Sequence, residues 1–446
     1  MIEHLKTILS EKNVSISSED LKIYTIGNKT PSAILFPTSI NQISEIVKLA
    51  KRDGKKILIS GNNSQHHFGS EIETPDWCIS LHRMNKIIEH EAVDLIVTVE
   101  SGVTLPQLHK FLNVHKQFLP LDLIGSENRT LGGIVATNSS GPLRLLYGTC
   151  CDLVLGMKVV LPDGTIIRVG GKTVKNVAGY DLSKLFIGSM GTLGAIAEIT
   201  FKLFPLSVQS YTLWAEFNQF NEIPDLIQSV CSSNLVISRC EYLNGLYIKK
   251  FLDKNDRSKE LHNMLFNVQG QSEMVTTTSN KLQQLIAERG GGNVRRYSKQ
   301  NDGKLWNQIN LSNSVNRKFH FNIHCQISIP KSSFGQVVNA IQNYSIKNSM
   351  SIAIQAHAGN GIINIFWDEL NQDQIKSDHW KSQIMAFRQI TENYQGNMVV
   401  LQATDSLRET ELIWGKPGKD FSFIRAIKSR YDANQVLVAG RFMGGL

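Results

Sequence analysis

A chain of 446 residues is too long for one ordinary core and long enough for two or three domains, each with a sizeable interior. Hydrophobic residues make up 41% and charged residues 19%, which excludes a disordered chain, and no apolar run approaches the roughly 20 residues that span a bilayer. The net charge of +8 permits an anionic ligand. Lysine and arginine are nevertheless spread along the chain without a basic block, so nucleic acid is not an expected partner.

The opening MIEHLKTILSEKN carries charges between its apolar positions and reads as a short amphipathic helix, so neither signal peptide nor anchor is expected and the location expected is cytoplasmic. SAILFP, SINQISEIVKLAKRDG and KKILIS then read strand, helix, strand, with a Ser39 or Asn41 cap, apolar Ile43, Ile46, Val47 and Ala50, and a Gly54 stop. WCISL and LIVTVESG are strands, and TLPQLHKFLNVHK is a helix. In LVLGMKVVLPDGTIIRVG a Pro-Asp-Gly between two β-branched runs predicts a hairpin. DLSKLFIG is a short helix, and TLGAIAEITFKLFP is a strand stopped by Pro205. Beyond it SYTLWAEF, EIPDLIQSVCSS and LVISRCEYL, then HFNIHCQISI, KSSFGQVVNAIQNYSIK, MSIAIQAHA and GIINIFW, form two strand-helix-strand units. They predict an antiparallel sheet with helices on one face. DKNDRSKE is a polar loop, and KDFSFIRAIKSRYD is a C-terminal helix before the tail ANQVLVAGRFMGGL. The six cysteines show no CxxC or other metal or cluster spacing and read as reduced thiols.

Three glycine-rich segments invite a nucleotide. GGKT at 170–173 lacks the first glycine of a Walker loop, since position 166 is Ile166. Gly188, Gly191 and Gly194 have the wrong spacing for a dinucleotide fingerprint and lead into a strand, so no helix dipole is offered to a pyrophosphate. SGNNSQ (60–65) follows a strand, and TLGGIVATNSSGP (130–142) gathers glycines, hydroxyls and amides in one loop. Backbone N–H groups in such bends can turn toward an anion, and together they suggest a cradle for a large phosphate-bearing ligand with a planar part.

Five ordered stretches, PTSINQISEIVKLAKRDGKKILISGNNSQ, LHRMNKIIEHEAVDLIVTVESGVTLPQL, LGGIVATNSSGPLRLLYGT, DLVLGMKVVLPDGTIIRVGG and KNVAGYDLSKLFIGSMGTLG, resemble the FAD-binding oxidoreductases of the vanillyl-alcohol oxidase type, also called the PCMH type. The resemblance is close over 31–206 and looser beyond. It is strongest, through KNVAGYDLSKL and AGRFMGGL, toward flavin subunits of glycolate oxidase complexes. It implies an α+β fold: a helical lead at 1–27, a PCMH-type FAD-binding domain of two α+β subdomains at 28–206, an α+β cap domain of ferredoxin-like repeats at 207–415, and a C-terminal segment, 416–446, returning to the flavin domain. By the same resemblance Gly61, Asn62, Asn63, Ser64 and Gln65 hold the pyrophosphate of FAD. Thr130, Gly133, Asn138, Ser139, Ser140 and Gly141 line a second FAD loop, Ile196 touches the adenine side, and Arg441 reaches back near the flavin.

The implied activity is oxidation of a small 2-hydroxy acid, with an iron–sulfur electron-transfer subunit and a homologous flavin subunit as partners and any membrane attachment coming through them. A stand-alone D-lactate or 2-hydroxy-acid dehydrogenase and a degenerate flavin-fold assembly subunit are the alternatives. Asn63 stands where many relatives carry a flavin-linking histidine, so FAD is expected to be non-covalent. Cys151 replaces a usual arginine, and Val438 and Ala439 replace a usual Asn-Pro before Gly440 and Arg441. In QAHAGNGIIN, His357 aligns with a metal-binding histidine of sister subunits, whereas Asn360 and Asn364 replace an acid and a second histidine. Neutral amides bind transition metals weakly, so no metal is expected. His357 is the candidate base, with a structural strand histidine as the other reading of it.

Overall fold

The computed structural model describes residues 2–123, 128–172, 180–252, 262–312, 321–367 and 377–446. The polar loop expected at 253–260 and most of KNVAGYD lie outside them.

The chain first builds a four-stranded sheet from β1 (Val14–Ser15), β2 (Ala33–Leu35), β3 (Ile57–Ser60) and β4 (Trp77–Ser80), in the order β1-β2-β4-β3. β2, β4 and β3 are parallel, and β1 is antiparallel to β2. The helix Ile40–Arg52 carries the chain from β2 to β3 on the far side of β4, which slots between them. Ser39 caps it by accepting the Gln42 N–H, and Ile43, Ile46, Val47 and Ala50 are buried. Ile57 and Leu437 form a parallel bridge, so the C-terminal tail runs beside β3.

A second, antiparallel sheet uses β5 (Ile87–Glu91), β6 (Ile96–Glu100), β8 (Val154–Val160), β9 (Ile166–Gly170) and β10 (Ala195–Lys202), while β7 (Gln117–Phe118) pairs with β11 (Phe204–Pro205) outside it. β8 and β9 are the expected hairpin, with Gly164 at φ 83° in its turn. β10 joins the two sheets: Ile196, Ile199 and Phe201 enter the core of the second, whereas Ala195 and Ala197 pack with Ile43, Ile57 and Trp77 of the first.

The remaining strands are β12 (Gln209–Phe217), β13 (Arg239–Leu243), β14 (His262–Gly270), β15 (Gly292–Ser298), β16 (Ile323–Ser328), β17 (Ile352–His357), β18 (Ile362–Trp367) and β19 (Asn397–Gln402). They form one antiparallel sheet in the order β15-β12-β14-β13-β17-β18-β16-β19. Each half is a strand-helix-strand-strand-helix-strand unit, and the halves join edge to edge where Tyr242 pairs with Ala356. Helices Glu222–Ser232, Ser272–Glu288, Phe334–Lys347 and Ser377–Asn393 cover one face over the largest core. Contrary to the one-sided expectation, helices Gly245–Phe251 and Lys299–Ser312 cover part of the other face, because Trp214, Leu265, Phe366 and Ala353 point there and need Tyr247, Ile248, Leu305 and Trp306 against them. The uncovered part of that face is polar and looks toward the first two sheets.

Candidate functional site

A cleft of about 730 Å³, counting space open to solvent, lies where β3 ends, between the two small sheets. Gly61, Asn62, Asn63, Ser64 and Gln65 line it, with Thr130, Gly133, Ile196 and Arg441 opposite. Nine sequence-predicted residues therefore meet at one place. Among the described residues, none of the backbone N–H groups of Asn62, Asn63, Ser64 and Gln65 donates to a carbonyl, and no aspartate or glutamate is in the wall. Unpaired amides away from acidic side chains are a fitting seat for a diphosphate.

The second glycine-rich stretch folds differently from the expected open loop. Leu131–Ala136 is a helical turn and a half: Thr130 caps it by accepting the Gly133 N–H at 3.3 Å, while Leu131, Ile134 and Val135 are buried. Gly61 fits against this cap because a Cβ there would sit 2.2 Å from Thr130 Oγ1. Asn138, Ser139 and Ser140 do not line the first cavity but a second one, of about 1350 Å³ counting space open to solvent, which shares Ser64, Gln65, Arg129 and Thr137 with it. Gly141 lines neither. It is pressed onto Asp122, where a Cβ would come 1.6 Å from the carbonyl oxygen, so its role is close backbone approach.

Arg441 closes the first cavity. Its Nε donates to Phe68 O at 3.2 Å and an Nη donates to Gln65 O at 2.7 Å. Burial, with Arg408 nearby, lowers its pKa to about 10. Arg408 grips the carbonyls of His66 and Gly69, so two arginines bolt down the turn that follows the amide cradle. Asn63, at φ 56°, accepts from Ser60 Oγ at 2.6 Å. His66 also lines this cavity, with Nε2 3.1 Å from Ser60 Oγ. Burial first, then Arg441, lower its pKa to about 3.

The second cavity lies between the cradle and the polar face of the eight-stranded sheet. His67, His324, Gln326, Asn364, Arg129 and Arg144 are in its wall, again without a carboxylate among the described residues. Burial lowers His67 and His324 to about 4; the arginines add to the shift at His67, while Asn364 partly opposes it at His324. Arg129 borders both cavities and donates to Thr137 Oγ1 at 3.2 Å and Ser139 Oγ at 2.5 Å. Sequence reasoning missed Arg129, Arg144, His67 and His324. The one available signal was an arginine directly before TLGG.

His357 is in neither cavity wall. It is 1% exposed, its Nδ1 is 2.7 Å from Glu241 Oε1, and its Nε2 has no hydrogen-bond partner. A chain of bonds leads from there to the second cavity. Gln355 Nε2 donates to Glu241 Oε2 at 2.7 Å, Asn364 Nδ2 to Gln355 Oε1 at 3.2 Å, and His324 Nε2 and Gln326 Nε2 to Asn364 Oδ1 at 3.2 and 3.3 Å. Every amide in the chain is oriented toward the Glu241 carboxylate, an arrangement that puts the His324 proton on Nε2 and leaves Nδ1 as its acceptor nitrogen. Burial raises the Glu241 carboxyl pKa against the pull of His357. Among the described residues no His/Cys/Asp/Glu group could hold a metal ion, and no helix is long and apolar enough to cross a membrane.

Comparison with known proteins fits this geometry. Residues 31–170 match the family model of the FAD binding domain. Mitochondrial D-lactate dehydrogenase [cytochrome] of Arabidopsis thaliana is 26% identical over 84% of this chain and 68% of its own. Glycolate oxidase subunit GlcD of Bacillus subtilis (strain 168) is 25% identical over 92% of this chain and 88% of its own. D-2-hydroxyglutarate dehydrogenase of Stutzerimonas stutzeri (strain A1501) is 23% identical over 99% and 98%. Among solved structures, p-cresol methylhydroxylase with substrate bound superposes with a TM-score of 0.75 at 17% identity, covering 98% of this chain and 94% of that one. Residues 31–170 are thus an FAD-binding domain, and the chain is a flavoprotein with the fold of the p-cresol methylhydroxylase (PCMH) type.

Proposed function

We propose that the protein is an FAD-dependent oxidoreductase of 2-hydroxy acids, working as the flavin subunit of a complex that passes electrons to an iron–sulfur partner. The observation that carries this reading is the adjacency of the two cavities: an amide cradle for a diphosphate shares Ser64, Gln65, Arg129 and Thr137 with a cationic chamber against the polar sheet face, in whose wall no carboxylate stands among the described residues. The named relatives act on D-lactate, glycolate and D-2-hydroxyglutarate, which share a hydroxyl beside a carboxylate.

In this reading the bend 61–65 and the Thr130 cap hold the diphosphate, Ile196 packs at the adenine end, and Arg441 keeps the cradle closed. FAD, when bound, supplies the acceptor for the substrate's hydride. The chain's part is to seat the acid and receive the hydroxyl proton. His67 and His324 are neutral at pH 7 and stand in the chamber wall, so His324 Nδ1 is the proposed proton acceptor. His357 acts behind it, as the far end of the network that fixes the His324 tautomer. With Asn63 in the cradle, FAD is held without a covalent bond, and location is set by the partner subunits.

Gel-filtered protein is expected to be yellow, and acid precipitation is expected to release the flavin to the supernatant. Anaerobic 2-hydroxy acids should bleach the bound flavin once the partner subunits are present. Colourless protein that refuses added FAD overturns the reading. Bleaching by the lone chain, with turnover on artificial acceptors, favours the stand-alone dehydrogenase.

A further inference from the structure

Arg144 is the least explained side chain of the chamber. It starts the short helix Arg144–Tyr147 and is half-buried in the chamber wall; among the described residues no carboxylate lies within ion-pair distance, Asp152 and Glu241 acting on it only from farther off, and its guanidinium has no hydrogen-bond partner. A guanidinium withdrawn from water without a counter-charge is costly unless a ligand supplies one. The fold nevertheless holds it in place. Leu143 N donates to Asp122 Oδ1 at 2.8 Å, Gly141 lies flat on the Asp122 carbonyl, and Asp122 is itself tied to Arg239 of β13 at 2.8 Å. Arg129, in the same wall, is nine-tenths buried, donates to hydroxyls on Thr137 and Ser139, and has no acidic partner among the described residues.

We propose that Arg144 and Arg129 form a carboxylate clamp in the second cavity, binding the acid group of a small organic acid beside the flavin. The inference rests on the FAD-dependent 2-hydroxy-acid reading for its choice of acid. Guanidinium pairs present forked N–H donors that match the two oxygens of a carboxylate. The neighbouring imidazoles, being uncharged, leave the clamp as the chamber's positive charge, and among the described residues no carboxylate stands in the wall to pair with it directly; Asp152 and Glu241 offset Arg144 only from a distance.

The test uses the full-length, FAD-loaded protein, with oxalate as a carboxylate that cannot be oxidised there. Oxalate is expected to perturb the visible flavin band saturably, and Arg144→Met to weaken that binding about tenfold or more, as loss of a charged hydrogen bond does. Arg144→Lys should retain part of the affinity, with flavin content unchanged. On the unaltered protein glycolate should bind about tenfold tighter than glycolamide, which keeps the hydroxyl and lacks the charge; this comparison serves if Arg144→Met fails to fold. Equal binding of glycolate and glycolamide, undiminished oxalate binding in both Arg144→Met and Arg129→Met, or phosphate binding as tightly as oxalate overturns the clamp. The two readings fail separately. Oxalate binding without bleaching by any 2-hydroxy acid in the complete complex sinks the dehydrogenase and keeps the clamp; bleaching with an unchanged KM in both arginine variants does the reverse.

Discussion

Three histidines in the cavity walls, His66, His67 and His324, have pKa values lowered to about 3, 4 and 4. Their burial penalises the imidazolium, and for the first two the arginines beside them repeat the penalty. Between these values and the ordinary histidine pKa of about 6.5, the unfolded chain binds more protons than the folded one, so stability rises with pH across that window. The contribution is fully present above about pH 6.5 and is lost as pH falls toward 4. Urea midpoints measured from pH 7 down to pH 4 should decline, and His324→Gln should flatten the decline. A midpoint that stays level through this range in the parent protein would show these imidazoles to be solvated. The same shifts keep the walls uncharged at neutral pH, which leaves the arginines as the charges an anion meets.

At the level of elements, the Thr130 cap deserves a direct measurement because it serves two structures at once. Its hydroxyl completes the helix Leu131–Ala136 and forms the surface on which Gly61 rests. Thr130→Val keeps the shape and removes the acceptor, so it should cost about 1 kcal/mol in unfolding free energy and also reduce flavin content after gel filtration. A loss of stability with full flavin occupancy would separate the cap from the cradle. Elements with strong local signals were legible in the sequence: Ser39 before Ile40–Arg52, and Pro-Asp-Gly between β8 and β9. Others carried none. Strand β14 buries Asn263 and Asn267 completely, and the helix Ser272–Glu288 places Thr278 and Ser279 among its buried positions. Polar side chains that satisfy one another inside the sheet erase the apolar period by which such elements are recognised. The short helix at 131–136 was misread for a related reason, since two glycines inside it imitate a loop.

Over the whole molecule, the cavity is a product of how the small sheets meet the large one. The Asp122–Arg239 pair crosses that boundary, with side chains only 9% and 11% exposed, and Arg239 lies 4.6 Å from the Trp306 ring. Removing one partner of a buried pair leaves the other charge stranded, at a cost of about 3–5 kcal/mol. Asp122→Asn should therefore lower the urea midpoint sharply, and Asp122→Asn combined with Arg239→Met should recover part of the loss. Strict additivity of the two would deny the coupling. Because Asp122 also anchors Gly141 and Leu143, the single variant should loosen Arg144 and weaken oxalate binding as well.

The ordered motifs of 31–206 by themselves determined that an FAD-binding domain is present, most of its strands and the bend at 61–65, because backbone conformation there is a local property of glycine, amide and hydroxyl residues. Tertiary structure decided which residues share a cavity. It moved Asn138, Ser139 and Ser140 into a second chamber, withdrew His357 behind Glu241 and Asn364, and brought Arg129, Arg144 and His324 into the wall of one cavity from distant points in the chain. Burial and desolvation arise only when distant segments close on a side chain, so a charge that matters and a charge that is merely present look alike until the fold is formed.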